Sequence, residues 1–240
     1  MALKLYDLAA ADERVRFSPF VWRVRLALAH KGLSADTVPW RFTDKATIAF
    51  SGQDRVPVLV DEGAVIVDSW SIACHLDAKY PDRPSLLGPR EARAGIVFVR
   101  NWCDGVVIPG IGRQIVLDVW TILHERDQEY FRRTREARFG ATLEAVAAGA
   151  DQALPAFRAS LEPLRATIRS QPFLGGERPN FADYIVFAAF QWARCSSPRG
   201  LLAADDPVAA WRDRSLALFD GLAARAARAH LSNEGSDSPP

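Results

Sequence analysis

Cysteine is scarce in this chain, which has only Cys74, Cys103 and Cys195 among its 240 residues. An odd number of cysteines at these spacings suits neither a disulfide framework nor a zinc site. We therefore expect a reducing compartment, the cytoplasm, with the cysteines packed as small core residues and with no bound metal.

Long apolar runs and an excess of charge of one sign are also missing. No run approaches the roughly 20 residues of a membrane-spanning helix, and the formal net charge is +1. This balance argues against nucleic acid or an anionic membrane as a partner. The opening residues, MALKLYDLAAADERVRF, lack the basic-then-apolar layout of a secretory signal, because acidic residues interrupt them early.

The composition that is present, 49% hydrophobic and 25% charged, is typical of a globular protein. Up to about residue 80, strand-like runs and helical stretches follow the order β-α-β, a gap, then β-β-α. This order predicts a small sheet covered by helices. The predicted strands are Leu3–Leu8, Ala35–Trp40, Val56–Val60 and Ala64–Val67, and the predicted helices are residues 19–31, ended by Gly32, and Ser69–Lys79.

A linker and a helical region follow this first domain. The segment YPDRPSLLGP contains three prolines and a glycine, a composition typical of an interdomain linker. Beyond it, apolar residues recur near helical spacing in the segments 90–120, 141–170, 181–195 and 207–229. The predicted division is a first domain over residues 1–80, a linker over 81–89, an all-helical domain over 90–231 and a frayed polar tail over 232–240.

The pair Val56-Pro57 opens one of the predicted strands. Since proline cannot donate to a sheet ladder, it belongs at the start or the edge of a strand. A cis peptide at this pair would turn the Val56 main chain outward, where it could pair with an extended ligand. The alternative is an ordinary trans proline that starts a strand, which is the commoner case on proline statistics alone.

Asp68-Ser69 stands where a predicted strand ends and a predicted helix begins. A helix N-terminus carries free N–H groups and a partial positive charge, which together bind a carboxylate. An acid beside it could bind an ammonium, so the two sites would hold an amino-acid end group. The alternative is that Ser69 is an N-cap and nothing more.

Ser18-Pro19 begins the first predicted helix, with Pro19 at its favoured first position. Ser18 is therefore an N-cap candidate. Alternatively, its hydroxyl donates to an anion at the helix end, and a bound thiolate suits that position because a helix N-terminus and a hydrogen-bond donor both lower the pKa of a thiol. No His–Asp–Ser arrangement indicates that Ser18 is itself a nucleophile.

Taken in order, these motifs resemble the glutathione transferase superfamily. The resemblance implies an α+β protein with a thioredoxin-like N-terminal domain followed by an all-α C-terminal domain. Asn180-Phe181-Ala182-Asp183 resembles the family's helix-capping motif, with asparagine where Ser or Thr is usual. A closer resemblance, to the serine-type bacterial β-etherases that cleave β-aryl ethers of lignin-derived dimers and to their fungal relatives, is carried by LYDL, SPFVWRVRLALAHKGL, RVPVLVDEG, VDSWSIACHLDAKYPDRP, GGERPNFADY and LFDGL.

The resemblance implies a role for each matching residue. Ser18 would stabilise the thiolate of glutathione, the co-substrate, and Val56 would pair through its main chain with the cysteinyl unit beside a cis Pro57. Asp68 and Ser69 would hold the γ-glutamyl ammonium and carboxylate. Thiol-disulfide exchange is not expected, because family members with that activity usually place a cysteine at the position of Ser18. The candidates for binding the glycyl carboxylate are Arg55, Lys45 and Arg41.

A pocket for the electrophile is expected between the two domains. Aromatic rings would stack on a flat substrate, and the alternative for each ring is ordinary core or interface packing. The candidate walls are Phe20, Trp22, Phe98, Trp102 and Trp120. The nearby charged residues Asp118, His124, Glu125 and Asp127 are interpreted as a solvated stretch and not as a metal site, because arginines follow them.

Two functions are open at this point. The first is a cytosolic enzyme that attacks a small aromatic electrophile with glutathione activated by Ser18, and its most specific form is β-aryl ether cleavage. The second is a non-catalytic protein of the same fold that binds or carries glutathione or aromatic ligands. The resemblance also implies a homodimer.

Overall fold

The computed structural model describes residues 3–229, so the tail predicted over 232–240 lies outside the described residues. A four-stranded sheet domain is followed by a helical domain, as the sequence predicts. The strands are β1 (Leu3–Leu8), β2 (Ala35–Trp40), β3 (Val58–Asp61) and β4 (Ala64–Val67). The helices are α1 (Pro19–His30), α2 (Ser69–Lys79), α3 (Arg93–Trp102), α4 (Ile108–Ile122), α5 (Glu125–Phe139), α6 (Leu143–Ala148), α7 (Ala150–Ser160), α8 (Glu162–Ser170), α9 (Phe181–Ser196) and α10 (Pro207–Gly221). Short 3-10 helices lie at Lys45–Ser51 and Arg90–Ala92, and a π-helical turn joins α3 to α4 at Cys103–Val107.

The sheet has the thioredoxin-like strand order β2-β1-β3-β4. β1 runs parallel to β2 and antiparallel to β3, and β3 pairs antiparallel with β4. The predictions for β1, β2 and β4 are confirmed residue for residue. β3 begins at Val58 and not at Val56, because Pro57 has no N–H to give to the ladder.

Helix α1 is buried on nearly every side. It packs against α2 of its own domain and against α9 of the helical domain. Val21, Trp22 and Val24 retain no exposed surface. The helix ends at His30 with Lys31 as its C-cap, one residue earlier than predicted, and Gly32 follows the cap at φ 63°, a left-handed conformation that costs glycine no steric clash.

Helix α9 lies at the centre of the helical domain and is buried along almost its whole length. It begins with the predicted capping box, in which Asn180 and Asp183 satisfy each other's main-chain N–H groups. The buried Asp183 carboxylate also accepts hydrogen bonds from the N–H of Leu174 at 2.7 Å, the N–H of Gly175 at 2.9 Å and the indole of Trp211 at 3.0 Å. One carboxylate therefore ties the turn before α9 to α10.

The linker is held tightly against the first domain. Leu86 and Leu87 have no exposed surface. Their main-chain N–H groups donate to the Asp77 carboxylate at 2.8 and 3.0 Å, and Lys31, the C-cap of α1, pairs with the same carboxylate at 2.6 Å. The connection between the domains is thus fixed by a buried polar cluster.

One long helical segment, Arg90–Ile122, is the single stretch within residues 3–229 that could cross a membrane by length and composition alone. The core helix of a globular protein meets the same criteria. Ile96, Ile111 and Ile115 of this segment are buried in the core, so we interpret it as a core helix.

The helical domain differs from its prediction in two of the predicted segments. Residues 141–170 form three helices, since a break at Gly149 separates α6 from α7 and Pro163 lies in the first turn of α8. In the segment 207–229, α10 is broken by a kink at Leu218, Phe219 and Asp220, which leave helical dihedral angles, and it ends at Gly221.

The charged stretch around Asp127 was predicted to be solvated, which is wrong for Asp127 itself, although Glu125 and Arg126 are exposed. Residues 125–139 form α5, and Asp127 is fully buried. Its carboxylate accepts hydrogen bonds from the N–H and hydroxyl of Thr43, at 2.9 and 2.6 Å. Both bonds go to Oδ1 and join α5 to the loop that follows β2, while Oδ2 is buried without a hydrogen-bond partner among the described residues.

Asp7 is another buried carboxyl group, and the sequence analysis did not single it out. It lies in β1, pairs with Arg25 of α1 at 3.2 Å, and leaves Oδ1 without a hydrogen bond among residues 3–229. Burial raises the pKa of Asp7 to about 6, although Arg25 and Arg16 favour the ionised form. The folded protein therefore binds the proton of Asp7 more tightly than the unfolded chain does.

Replacing the central carboxylate by an amide in Asp183→Asn is expected to lower the free energy of unfolding by about 3 kcal/mol, because the amide's NH2 faces N–H donors. Urea denaturation measures this loss. Asp213→Asn, at an exposed acid paired only with Arg212, is the control and should change stability little. A loss no larger than the control's would contradict the central role given to Asp183.

The raised pKa of Asp7 predicts a defined dependence of stability on pH. From about pH 4 to 6 the Asp7 carboxyl is ionised in the unfolded chain but keeps its proton in the folded protein. The contribution of Asp7 to the free energy of unfolding therefore falls as pH rises through this interval. The difference in free energy of unfolding between the native chain and Asp7→Asn should fall by about 2–3 kcal/mol over that interval and then level off. Asp36→Asn, at an exposed position of β2, provides the baseline. A difference that stays flat from pH 4 to 7 would contradict this account.

Candidate functional site

The register of the sheet brings two of the predicted motifs together. Val58 of β3 pairs with both Tyr6 of β1 and Val67 of β4. Pro57, just before Val58, and Asp68, just after Val67, are therefore neighbours at the end of the sheet where β1 finishes. Two segments far apart in the sequence thus supply adjacent parts of one surface.

Ser18 reaches the same end of the sheet by a different route. After β1 the chain makes a loop and returns, so that the N–H of Phe17 donates to the carbonyl of Leu8 at 3.3 Å. Ser18 follows immediately as the N-cap of α1. The N-termini of α1 and α2 and the start of β3 thus lie at one edge of the first domain.

Ser18 caps α1 through its side chain, and Pro19 occupies the first turn, as predicted. The Ser18 hydroxyl oxygen accepts a hydrogen bond from the N–H of Val21 at 3.3 Å, and the side chain is almost fully buried. A hydroxyl that accepts one bond can still donate its own proton. The first turn of α1 contains no acidic residue, so the partial positive charge of the helix end is not offset there.

The peptide bond between Val56 and Pro57 is cis. Val56 retains 8% of its surface and lies outside the ladder of β3. Its main-chain N–H and C=O have no hydrogen-bond partner among the described residues. They are available to an extended ligand in the way that a free strand edge is.

At the start of α2, Asp68 and not Ser69 is the N-cap, which corrects the alternative raised from the sequence. The Asp68 carboxylate accepts hydrogen bonds from the N–H groups of Trp70 at 2.9 Å and Ser71 at 3.1 Å, with φ 71° at Asp68. Ser69 is the first helical residue and is 2% exposed. An exposed carboxylate and a helix N-terminus therefore stand side by side.

The three candidate cations lie around this surface in two groups. Lys45 and Arg55 both contact Asp54, and the side chain of Arg55 is 80% exposed. Arg41 lies apart from them, because its guanidinium donates to Glu13 at 2.9 Å and to the carbonyl of Ala11 at 3.3 Å.

The five candidate aromatic walls do not form one cluster. Trp22 is fully buried and its indole donates to the carbonyl of Arg16, so it offers no surface to a substrate. The indole of Trp120 donates to Gln128 of α5. Phe98 of α3 is 70% exposed, and Trp102 packs partly against the core. Phe20, half-buried and two residues after Ser18, is the candidate nearest to the serine along the chain.

The side chains that could hold a metal do not form a metal site in the described part of the chain. Within residues 3–229, no three His, Cys, Asp or Glu side chains come together as metal ligands would. His124 instead caps α5, and Asp118 accepts a hydrogen bond from Ser197. These two residues, with the buried Asp127, serve contacts within the fold.

Comparison with known families gives two matches in chain order. Residues 14–84 match the family described as "Glutathione S-transferase, N-terminal domain", and residues 96–216 match "Glutathione S-transferase, C-terminal domain". The boundary between the two matches falls at the buried linker.

Individual relatives point to the same group. The chain is 30% identical to the "Glutathione S-transferase-like protein ustS" of Aspergillus flavus over 142 residues, which are 53% of this chain and 50% of that protein. It is 40% identical to "Glutathione S-transferase Z1" of Arabidopsis thaliana over 94 residues, 37% of this chain and 41% of that protein. The matched segments thus span half or less of these curated relatives.

Solved structures and the family matches agree on the fold of the whole chain. Glutathione transferase GSTFuA3 from Phanerochaete chrysosporium is similar with a TM-score of 0.81 at 28% identity, covering 92% of this chain and 97% of that one. The fold, the order of the three helix and strand ends at the edge of the sheet, and the two family matches lead to one conclusion: the chain belongs to the glutathione S-transferase superfamily.

Proposed function

We propose that this protein is a glutathione transferase that uses Ser18 to stabilise the thiolate of bound glutathione for attack on an aromatic electrophile. The observation that carries the proposal is the position of the Ser18 hydroxyl at the positive end of α1, at the same end of the sheet as Pro57 and Asp68. In that position a bound thiolate meets a hydrogen-bond donor and a helix N-terminus together.

The remainder of glutathione fits the neighbouring groups. The free main-chain N–H and C=O of Val56 pair with the cysteinyl unit. The exposed carboxylate of Asp68 binds the γ-glutamyl ammonium, and Ser69, at the start of α2, binds the γ-glutamyl carboxylate. Lys45 and Arg55 are better placed than Arg41 to bind the glycyl carboxylate, because their side chains are 38% and 80% exposed and that of Arg41 is 15% exposed.

The chemistry proposed for the electrophile is displacement by sulfur. The thiolate forms a C–S bond to the electrophilic carbon as the bond from that carbon to the leaving group breaks. In the most specific form, β-aryl ether cleavage, the C–O bond breaks, the phenolate leaves with the electron pair, and it takes up a proton after departure. The sequence motifs shared with the β-etherases support this form, and Phe20 supplies an aromatic surface next to Ser18.

Two further expectations belong to this proposal. Exposed apolar side chains on both domains, Phe50 at 52% and Phe98 at 70%, favour a homodimer that covers them. We also propose a cytoplasmic location, because Cys103 and Cys195 are buried free thiols, which are typical of proteins in a reducing compartment.

Removing the hydroxyl in Ser18→Ala is expected to lower kcat/KM by about 100-fold, because the thiolate loses a positioned donor. Glutathione affinity, measured by calorimetry, should change little, since the other binding groups remain. Ser18→Thr keeps a hydroxyl and should restore much of the activity. The assays use a fluorogenic β-aryl ether and a generic chloroarene side by side.

Ser34→Ala, in an exposed loop of the first domain, is the matched control and should retain full activity. Unchanged turnover in Ser18→Ala would show that the role given to Ser18 is wrong. If the native protein binds glutathione but turns over neither substrate, a non-catalytic carrier becomes the better description.

A further inference from the structure

A half-buried ion pair joins α1 to the π-helical turn of the helical domain. Arg23 of α1 is 1% exposed, and its guanidinium donates to Oδ1 of Asp104 at 2.5 Å. The other oxygen of Asp104, Oδ2, has no hydrogen-bond partner among the described residues, and the Asp104 side chain keeps 37% of its surface. Arg23 is therefore shielded from solvent, whereas Asp104 keeps an exposed oxygen that can accept a hydrogen bond.

The position of Asp104 depends on the widened turn. Between α3 and α4 the N–H of Ile108 bonds to the carbonyl of Cys103, five residues back. Pro109 follows and has no N–H, so the regular ladder cannot continue through this turn. π-helical turns inside long helices occur frequently at functional sites, where they orient a side chain in a direction that a regular helix would not allow.

The surroundings of Arg23 leave Asp104 as its anionic partner. The Cys103 thiol lies 3.8 Å from the guanidinium, and burial raises its pKa to about 12, so it is neutral. The Nε of Arg23 is buried without a partner in the part of the chain that is described. Arg23 thus holds Asp104 through one hydrogen bond and does not cover the second carboxylate oxygen.

This open carboxylate is linked to the first turn of α1 through Arg23 and Phe20. The Phe20 ring packs on the Arg23 guanidinium, with 4.8 Å between the guanidinium carbon and the ring centroid. Phe20 itself lies in the first turn of α1, two residues after Ser18, so the contacts run from that turn to Asp104.

We propose that Asp104 is a specificity-determining residue, whose free oxygen accepts a hydrogen bond from a hydroxyl group on an aromatic electrophile held beside Phe20. The substrate class is aryl electrophiles that carry a phenolic or alcoholic donor. The inference rests on the proposed function, because it assumes that the aromatic group is attached to, or reacts with, glutathione at Ser18. No covalent step involves Asp104.

The test measures binding of glutathione conjugates by calorimetry, using the full chain. The probes are S-benzylglutathione, its meta- and para-hydroxybenzyl analogues and the corresponding methoxybenzyl analogues. Hydroxyl and methoxy groups both offer an acceptor oxygen, but only the hydroxyl donates. We expect one hydroxyl isomer to bind about 10-fold more tightly than its methoxy counterpart, as a hydrogen bond to a charged acceptor would produce.

The variant Asp104→Asn should reduce that hydroxyl-over-methoxy ratio to within about twofold, because its amide NH2 donates to either oxygen. Affinity for glutathione alone should stay the same, and so should the thermal midpoint to within a few degrees. Glu129→Gln, at an exposed acid of α5, is the control and should keep the native ratio.

Two results overturn the inference while leaving the proposed function intact. In the first, the native protein binds hydroxyl and methoxy conjugates equally. In the second, the preference persists in Asp104→Asn. If the native protein binds neither glutathione nor any of the conjugates, the proposed function fails together with the inference.

Discussion

The packing of α1 between the two domains is the constraint on which the rest of the structure depends. Val21, Trp22 and Val24 retain no exposed surface, and α9 of the helical domain packs directly against the helix. At about 2 kcal/mol for each large apolar side chain that is fully buried, this packing fixes the axis of α1 firmly. The direction of the axis fixes its N-terminus, and Ser18 with it, at the edge of the sheet.

Polar residues of α1 then set how the domains meet. Lys31 pairs with Asp77, which holds the linker, and Arg23 reaches Asp104 in the helical domain. The ring of His30 lies between the hydroxyl of Tyr184, at 2.6 Å, and the carbonyl of Ser85, at 3.1 Å, and burial lowers its pKa. Because buried polar groups are costly when unpaired, these contacts admit one relative placement of the two domains. The N-terminus of α1, and Ser18 with it, is therefore held in one position relative to the helical domain.

Local signals were enough to predict most of the fold and part of the site. Short strand-like runs predicted β1, β2 and β4, and the motif Asn180–Asp183 predicted the capping box. Helix α5 was missed because just two of its residues, Asp127 and Phe131, are buried, so it has almost no apolar periodicity. The partner of Asp127 is Thr43, far away in the sequence, and Arg23 and Asp104 are as widely separated. Such pairs are formed by the tertiary fold, so the local sequence does not predict them. Pro109, inside a predicted helical segment, was nevertheless a sign of the irregular turn between α3 and α4.

The central claim is that the N-terminus of α1 and the Ser18 hydroxyl together stabilise a thiolate. The most direct test is the pKa of the glutathione thiol when it is bound to the native protein, measured by the ultraviolet absorbance of the thiolate across a pH titration. A free thiol titrates near 8.5, and the account predicts a bound value at least about one unit lower. A bound thiol that titrates at the free value would contradict it.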